Sequence, residues 1–287
     1  MKDDDEVQPV DSQDLSVGDD GLPVRDDGEW AEEKLYYIER YIQIFTTGMK
    51  SKWPRRVYID LFTGPGRSRV RGTTQEFEGS PLRAAKAKYA FTNLFLNDAD
   101  PAVTAALGAR IDDSPRGRTT ITTMDCNNAA VLAGDKLFTP RNRTSTLGLA
   151  VIDPTAFQIS FDAIKRMTGG RRIDLIITFM TGYLRRFIDQ PSYAPQLDAF
   201  FGSGDWRRFV DVRAEGRRIT FGALLEFYKD RLRTIDYIHV DDHVRILNTK
   251  SNPIYHLIFA SKNPKGQEFF EKISRRQFTG QHRMALE

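Results

Sequence analysis

Short apolar runs with strand character alternate with stretches of helical spacing through the middle of the chain. The strand-like runs cover residues 57–61, 94–98, 121–125, 149–153 and 173–179. The intervals between them are long enough for a loop and a helix, which is the crossover connection that parallel strands need. The alternation therefore predicts an α/β fold in which helices cover both faces of a parallel sheet.

The pattern changes towards the end of the sequence. A helix is predicted over residues 221–235, and two strands follow at 244–247 and 254–260, joined by a short turn-forming segment. A connection of this length permits a hairpin but no parallel crossover. We therefore predict a mostly parallel seven-stranded sheet with a C-terminal antiparallel hairpin, which favours a Rossmann-like methyltransferase fold over a dinucleotide-binding fold.

The first residues differ sharply in charge from the rest of the chain. Residues 1–28 hold ten acidic side chains against Lys2 and Arg25, and they include no aromatic residue. Such a segment buries too little apolar surface to offset the entropy of ordering it, so a disordered acidic tail is predicted. The alternative is an acidic segment that covers a basic surface of the same chain.

Residues 29–287 are predicted to form one methyltransferase-like domain, which begins with an amphipathic helix over 32–45 and carries an insertion at about 202–220. No apolar run approaches the roughly 20 residues of a membrane-spanning helix. The first residues also lack the pattern of a secretory signal. We therefore expect a cytoplasmic protein with no membrane partner.

Four of the first five predicted strands end in a carboxylate: Asp60, Asp98, Asp125 and Asp153. In open α/β sheets, ligands bind outside the carboxyl ends of the strands. There, Asp98 can accept hydrogen bonds from ribose hydroxyls, and Asp125 can accept one from an adenine amino group. Asp153 can meet the amino group of a methionine moiety or of a substrate.

The first of these strands runs into a loop with two glycines, Phe62-Thr63-Gly64-Pro65-Gly66, where the backbone can approach a ligand closely. The dinucleotide fingerprint needs a small residue where this chain has Arg69, and the P-loop needs a Gly-Lys-Ser/Thr sequence that is absent here. S-adenosylmethionine has no phosphate and needs no anion nest. We therefore predict S-adenosylmethionine as the cofactor, bound by Asp60, Phe62, Gly64, Gly66, Asp98 and Asp125.

A larger set of residues resembles the three-Cys-motif partner family, TcmP. The matching segments are Ile59-Asp60-Leu61-Phe62-Thr63-Gly64-Pro65-Gly66-Arg67, Gly79-Ser80-Pro81-Leu82, residues 30–41, Asp153-Pro154 and residues 255–266. Together they cover roughly residues 29–275. The sequence departs from the family pattern at Thr63, at Thr155-Ala156 and at Asn263.

The resemblance implies a methyltransferase-like fold and a partner protein that bears a three-cysteine motif and is similar to radical S-adenosylmethionine proteins. The single cysteine of this chain, Cys126, agrees with cysteines that belong to the partner. The family implies no particular methyl acceptor. The chain would then be either a methyltransferase or a non-catalytic subunit that supports the three-Cys protein.

The segment Asp153-Pro154-Thr155-Ala156-Phe157 is loosely similar to the Asp-Pro-Pro-Tyr/Phe motif of amino-group methyltransferases. In that motif the acidic side chain holds the target amine, and the aromatic ring stacks on a flipped base. Asp153, Pro154 and Phe157 are therefore the catalytic candidates. The alternative is a structural loop that contacts only the cofactor.

Other polar residues give weaker signals. Cys126 is interpreted as a small packing residue, and His239 and His243 lie in a predicted strand and turn, so no metal site is predicted. Trp206 is a candidate for stacking or for docking a partner. Basic residues between Lys165 and Arg186, with three more beside the glycine loop (Arg67, Arg69 and Arg71), would attract nucleic acid if they share one rim.

Overall fold

The computed structural model describes residues 15–111, 117–211, 218–219, 221–247, 253–276 and 278. Helices and strands follow one another along these ranges in the alternation that the sequence predicts. No helix in them is long and apolar enough to cross a membrane.

The strands are β1 (Leu15–Val17), β2 (Pro23–Asp27), β3 (Arg55–Asp60), β4 (Arg67–Val70), β5 (Glu76–Glu78), β6 (Asn93–Asp98), β7 (Thr119–Thr123), β8 (Thr146–Ile152), β9 (Ile173–Phe179), β10 (Val210–Asp211), β11 (Arg218–Ile219), β12 (His239–Leu247) and β13 (Pro253–Ser261). The α-helices are α1 (Trp30–Met49), α2 (Ser80–Ala85), α3 (Pro101–Arg110), α4 (Cys126–Leu137), α5 (Phe161–Thr168), α6 (Thr181–Phe187), α7 (Ala194–Phe201), α8 (Phe221–Arg233) and α9 (Pro264–Ser274). Two 3-10 helices cover Pro191–Tyr193 and Gly204–Phe209.

Within the described residues, seven strands form the main sheet in the order β12-β13-β9-β8-β3-β6-β7. The strands from β9 to β7 in this order run parallel, whereas β13 is antiparallel to both β9 and β12. The register places Ile59 of β3 between Ala150 of β8 and Phe95 of β6. The predicted mostly parallel sheet with a C-terminal antiparallel hairpin is confirmed.

Helices cover both faces of the sheet. One apolar core lies between the sheet and α1, α2, α3 and α9, and the other lies between the sheet and α4 to α8. Successive side chains of a strand point to opposite faces, so Tyr58 belongs to the first core and Ile59 to the second. This burial on both faces explains why the strands appear in the sequence as continuous apolar runs.

The N-terminal hairpin, formed by β1 and β2, belongs to a second, smaller sheet of order β1-β2-β4-β5. The disordered tail predicted for residues 1–28 must therefore be shortened, because residues 15–27 are ordered; residues 1–14 lie outside the described residues. The carboxylate of Asp20 pairs with Arg110 at 2.7 Å and with Arg67 at 3.5 Å. The acidic charge that predicts disorder is thus neutralised locally, and residues 15–27 cover a basic surface of the same chain.

The region predicted as an insertion at 202–220 has regular structure where it is described. The 3-10 helix Gly204–Phe209 leads into the short antiparallel pair β10–β11, and residues 212–217 and 220 lie outside the described residues. The side chain of Trp206 is 4% exposed, and its indole Nε1 donates to Asp198 at 2.8 Å. The interpretation of Trp206 as an exposed docking residue is therefore wrong, because packing against α7 buries the ring.

Asp174, on β9, gives the fold a dependence on pH. The hydroxyls of Tyr41 and Ser261 donate to its carboxylate at 2.8 and 2.6 Å, and burial raises the pKa of Asp174 to about 6. Because this pKa lies above its value in the unfolded chain, the contribution to stability is present below about pH 4 and is lost as the pH rises to about 6. We expect Asp174→Asn to remove about 2 kcal/mol of the fall in the free energy of unfolding between about pH 4 and pH 6, measured by urea titration at both pH values.

The control is Asp162→Asn, since Asp162 is exposed on α5. In this variant the free energy of unfolding should fall between the two pH values as much as it does in the wild type. If the free energy of unfolding of Asp174→Asn falls with pH as much as that of the wild type, this titration does not belong to Asp174.

Candidate functional site

The candidate site lies at the carboxyl edge of the parallel strands, next to β3. In the sheet, β6 and β7 lie on one side of β3. The next strands along the chain, β8 and β9, lie on its other side. Open α/β sheets bind ligands at such a reversal of strand order. The four predicted carboxylates come to this edge: Asp60 ends β3, Asp98 ends β6, Asp125 caps α4, and Asp153 follows β8.

The glycine loop, residues 62–66, leaves β3 in a conformation that needs its glycines. Gly64 has a φ of 59° and Gly66 a φ of 87°, in the left-handed region that side chains disfavour. A Cβ atom on Gly66 would lie 3.0 Å from Leu107 Cδ1, so the α-carbon is also closely packed. The backbone N–H of Gly79 donates to the Gly66 carbonyl at 2.9 Å and ties the loop to the start of α2.

Three of the four amides of this loop are already engaged. The N–H of Phe62 donates to Asp60 at 3.2 Å, that of Thr63 to the Asn97 carbonyl at 3.0 Å, and that of Gly64 to Asp98 at 3.0 Å. Pro65 has no N–H. The loop therefore brings its backbone close to a ligand without offering the row of free amides that a phosphate needs.

Asp60 supports the glycine loop from inside the protein. Its carboxylate is fully buried and accepts hydrogen bonds from Ser80 Oγ at 2.6 Å and from Tyr58 Oη at 3.0 Å. Burial raises the pKa of Asp60 to about 6. The predicted contact of Asp60 with the cofactor must be corrected, because these internal donors hold the carboxylate in the core.

Two cavities lie on either side of the glycine loop. The loop cavity, about 40 Å³, is lined by Arg25, Lys34, Gly64, Gly66 and Asp153 among others. The strand-end cavity, about 140 Å³, is lined by Asp98, Asp125, Cys126, Thr155 and Gln158 together with Leu61, Asn97 and Ala99. Arg25 and Phe62 line both cavities. A ligand that reaches from one to the other therefore passes these two side chains.

Asp98 and Asp125 both reach the strand-end cavity, but their surroundings differ. Asp98 accepts the Gly64 N–H through one oxygen and the Asp100 N–H, at 3.2 Å, through the other. Asp125 is exposed and accepts from the N–H of Asn127 at 2.9 Å, which caps α4. Each carboxylate keeps lone pairs for a ligand, since a carboxylate accepts about four hydrogen bonds.

Asp153 lies in the loop cavity and is paired with Lys34 of α1 at 2.6 Å. Burial lowers the pKa of Lys34 more than any single neighbour raises it, but the charges of Asp153, Tyr255 and Asp27 and the hydrogen bond to Asp153 together outweigh burial, so the pKa lies above its usual value. The Lys34 ammonium also lies 5.2 Å from the centre of the Tyr255 ring. The pair is a charged one, and it occupies the position predicted to hold a target amine.

The other two catalytic candidates lie away from the cavities. Pro154 is buried, and the Phe157 side chain is 5% exposed, with its ring 5.1 Å from that of Tyr183 and 5.4 Å from that of Phe200. The predicted stacking of Phe157 on a base must be corrected, because the ring is part of the apolar core.

Neither the cysteine nor the histidines add to the site. Burial raises the pKa of Cys126 to about 12, so its thiol stays protonated and packs beneath the strand-end cavity. His239 contacts Gln267 at 2.7 Å, whereas His243 contacts Asp241 at 2.7 Å. The part of the chain that the structure describes holds no group of three or more candidate metal ligands.

The basic residues do not form one rim. Arg166 and Arg172 precede β9, and Arg185 and Arg186 follow it, so the length of a seven-residue strand, roughly 20 Å, separates them. Beside the glycine loop, Arg69 pairs with Glu76 at 2.7 Å. The condition for a single nucleic-acid rim is therefore not met, because Arg67 and the arginines of α6 lie towards the carboxyl edge while Arg166 and Arg172 lie at the opposite one.

Sequence reasoning missed three residues of the site: Arg25, Lys34 and Tyr255. Arg25 lies within the segment predicted to be a tail. Lys34 and Tyr255 belong to segments that resemble TcmP, 30–41 and 255–266, but nothing in their spacing shows that both reach Asp153. The resemblance of residues 30–41 to the family pattern was the available signal.

No protein-family model and no curated protein matches the sequence. Among solved structures, a Legionella pneumophila protein of family DUF519 is similar with a TM-score of 0.52 and 11% identity, over 86% of this chain and 94% of that one. M. jannaschii TYW2 in complex with AdoMet matches with a TM-score of 0.42 and 10% identity, over 88% of this chain and 86% of that one. The first likeness supports the fold described above.

Proposed function

We propose that the chain is a cytoplasmic S-adenosylmethionine-dependent methyltransferase. The observation that carries the proposal is the glycine loop, which approaches the ligand space closely while three of its four amides are already bonded. Phosphate-bearing cofactors require the opposite arrangement. The carboxylates around the loop (Asp98, Asp125 and Asp153) suit a cationic, hydroxyl-rich and phosphate-free ligand.

Each part of this cofactor would lie beside one of the two cavities. Asp98 would accept hydrogen bonds from the ribose hydroxyls and Asp125 from the adenine amino group, in the strand-end cavity. The amino-acid part would lie in the loop cavity, beside Gly64, Gly66 and Asp153. When bound, the cofactor supplies an electrophilic methyl group, and the chain's own residues position it and exclude water.

The first test is the binding of S-adenosylhomocysteine, measured by calorimetry. We expect micromolar affinity for the wild-type protein and an affinity at least about tenfold weaker for Asp98→Asn, which loses the charge that accepts the hydroxyl hydrogen bonds. Asp162→Asn removes an exposed carboxylate on α5 and should bind normally. Undiminished binding by Asp98→Asn, or none by folded wild-type protein, would contradict the proposal.

We further propose that the chain is a three-Cys-motif partner protein, supported by the TcmP-like segments around Gly64 and Tyr255. The methyl acceptor would be nucleic acid or a protein associated with it. Arg185 and Arg186 of α6, next to the carboxyl edge, would attract such a polyanion. Co-purification with the three-Cys protein is the direct test.

A second function is favoured by two observations: the pairing of Asp153 with Lys34 and the burial of Phe157. Because Asp153 is already paired and Phe157 lies in the core, neither side chain is available to bind a target amine. The chain would then be a non-catalytic subunit that binds S-adenosylmethionine and supports its three-Cys partner. Transfer of a labelled methyl group to any acceptor would exclude this alternative.

A further inference from the structure

Arg25, on β2, reaches over the glycine loop from the N-terminal hairpin. Its guanidinium carbon would lie 3.8 Å from a Cβ atom on Gly64, and its side chain is 24% exposed. Within the described residues no group accepts a hydrogen bond from this guanidinium, and the only carboxylate within 4.0 Å is that of Asp98. The guanidinium, with five donors, thus lines the loop cavity with Asp98 as an ion-pair partner at 4.0 Å, so it can donate to an anionic group of a ligand in this cavity.

The other cations of the loop cavity already have partners. Lys34 is paired with Asp153 at 2.6 Å. The negative charge of Asp27, the second carboxylate that lines this cavity, also raises the pKa of Lys34. Arg67 lies 3.5 Å from Asp20 and 3.6 Å from Glu76. Among the described residues that line the cavity, Arg25 is thus the cation left for an incoming anion.

The hairpin holds Arg25 in a fixed position over the loop. Arg110 of α3 donates to the carbonyls of Pro23 and Leu22 on the hairpin, at 2.6 and 3.2 Å, and to the carbonyl of Pro65 in the glycine loop at 2.7 Å. The same guanidinium pairs with Asp20. A side chain whose backbone is anchored in this way binds a ligand with little loss of entropy.

We propose that Arg25 binds the carboxylate of the methionine part of S-adenosylmethionine and makes the site selective for ligands that carry this carboxylate. The inference rests on the proposed function. The methionine carboxylate is the only anionic group of this cofactor, and the loop cavity is the place for its amino-acid part. A guanidinium binds a carboxylate through two parallel hydrogen bonds, which gives both affinity and orientation.

The test compares S-adenosylmethionine with its decarboxylated analogue, which lacks only the carboxylate, by calorimetry. Wild-type protein should bind S-adenosylmethionine roughly tenfold to a hundredfold more tightly than the analogue. In Arg25→Met, which keeps an apolar stem but removes the charge, the two affinities should become nearly equal. The analogue should bind this variant at least as well as it binds wild type, because Arg25 repels its additional net positive charge.

The control is Arg233→Met, which removes an exposed arginine paired with Asp230 on α8 and should keep the wild-type ratio. If Arg25→Met weakens both ligands equally, Arg25 supports the loop or the ribose, and the inference is overturned while the proposed function stands. A wild-type protein that does not discriminate between the ligands overturns the inference in the same way. If wild type binds neither ligand, the proposed function falls as well.

Discussion

Gly66→Val should abolish measurable binding of S-adenosylhomocysteine. A branched side chain at a φ of 87° is strained, and the new Cβ atom would lie 3.0 Å from Leu107 Cδ1. The loop must then move away from α3, and the hydrogen bond between Gly79 and the Gly66 carbonyl breaks. We expect a loss of at least about a hundredfold in affinity, together with a fall of about 2–5 kcal/mol in the free energy of unfolding.

Gly72→Val is the matched control. Gly72 lies between β4 and β5 with a φ of 78°, and a Cβ atom there would have no neighbour within 4 Å. This variant carries the backbone strain without the crowding, so it should lose about 1–3 kcal/mol of stability and bind the ligand normally. Equal losses of binding in the two variants would show that the glycine loop has no special role.

Arg110→Met should release the N-terminal hairpin from the rest of the protein. The Arg110 side chain is 4% exposed, and its guanidinium is bonded to Asp20, to two hairpin carbonyls and to Pro65. Its removal leaves three partly buried carbonyls without this donor and the exposed Asp20 without its partner, so we expect a fall of about 3–5 kcal/mol in the free energy of unfolding, mainly from the carbonyls. Amide hydrogen exchange in residues 15–27 should become at least about a hundredfold faster.

Arg207→Met provides the comparison, because Arg207 pairs with Asp198 in a similar geometry but is 48% exposed. Because solvent screens an exposed ion pair, we expect the free energy of unfolding to fall by about 1 kcal/mol or less. If the two variants behave alike in urea titrations and hydrogen exchange, the hairpin does not depend on Arg110.

The main sheet could be predicted because its signals are local. Runs such as 173–179 are buried on both faces and therefore appear as uninterrupted apolar residues, and the short link before Pro253 permits only a hairpin. The carboxylates after the strands follow from the same reasoning, because strand ends meet at one edge. Three of them, Asp98, Asp125 and Asp153, line the cavities.

The remaining errors concern partners that are distant in sequence. The acidic charge of residues 15–27 indicates disorder until Arg110 and Arg67 are placed against it. The position of Asp60 at a strand end indicates a cofactor contact until the Ser80 hydroxyl, which donates to its carboxylate at 2.6 Å, is placed against it. In both cases a tertiary contact outweighs a local preference, and one sequence without spatial information cannot show it.

The parallel pairing of β2 with β4 also determines when the loop cavity can form as the chain leaves the ribosome. Arg25 is synthesised early, but its neighbour Ser68 and the anchoring Arg110 come much later. Pairings between such distant segments form slowly, since a long loop must close first. We therefore expect the hairpin that covers the glycine loop to join the folding protein late, although it comes first in the sequence.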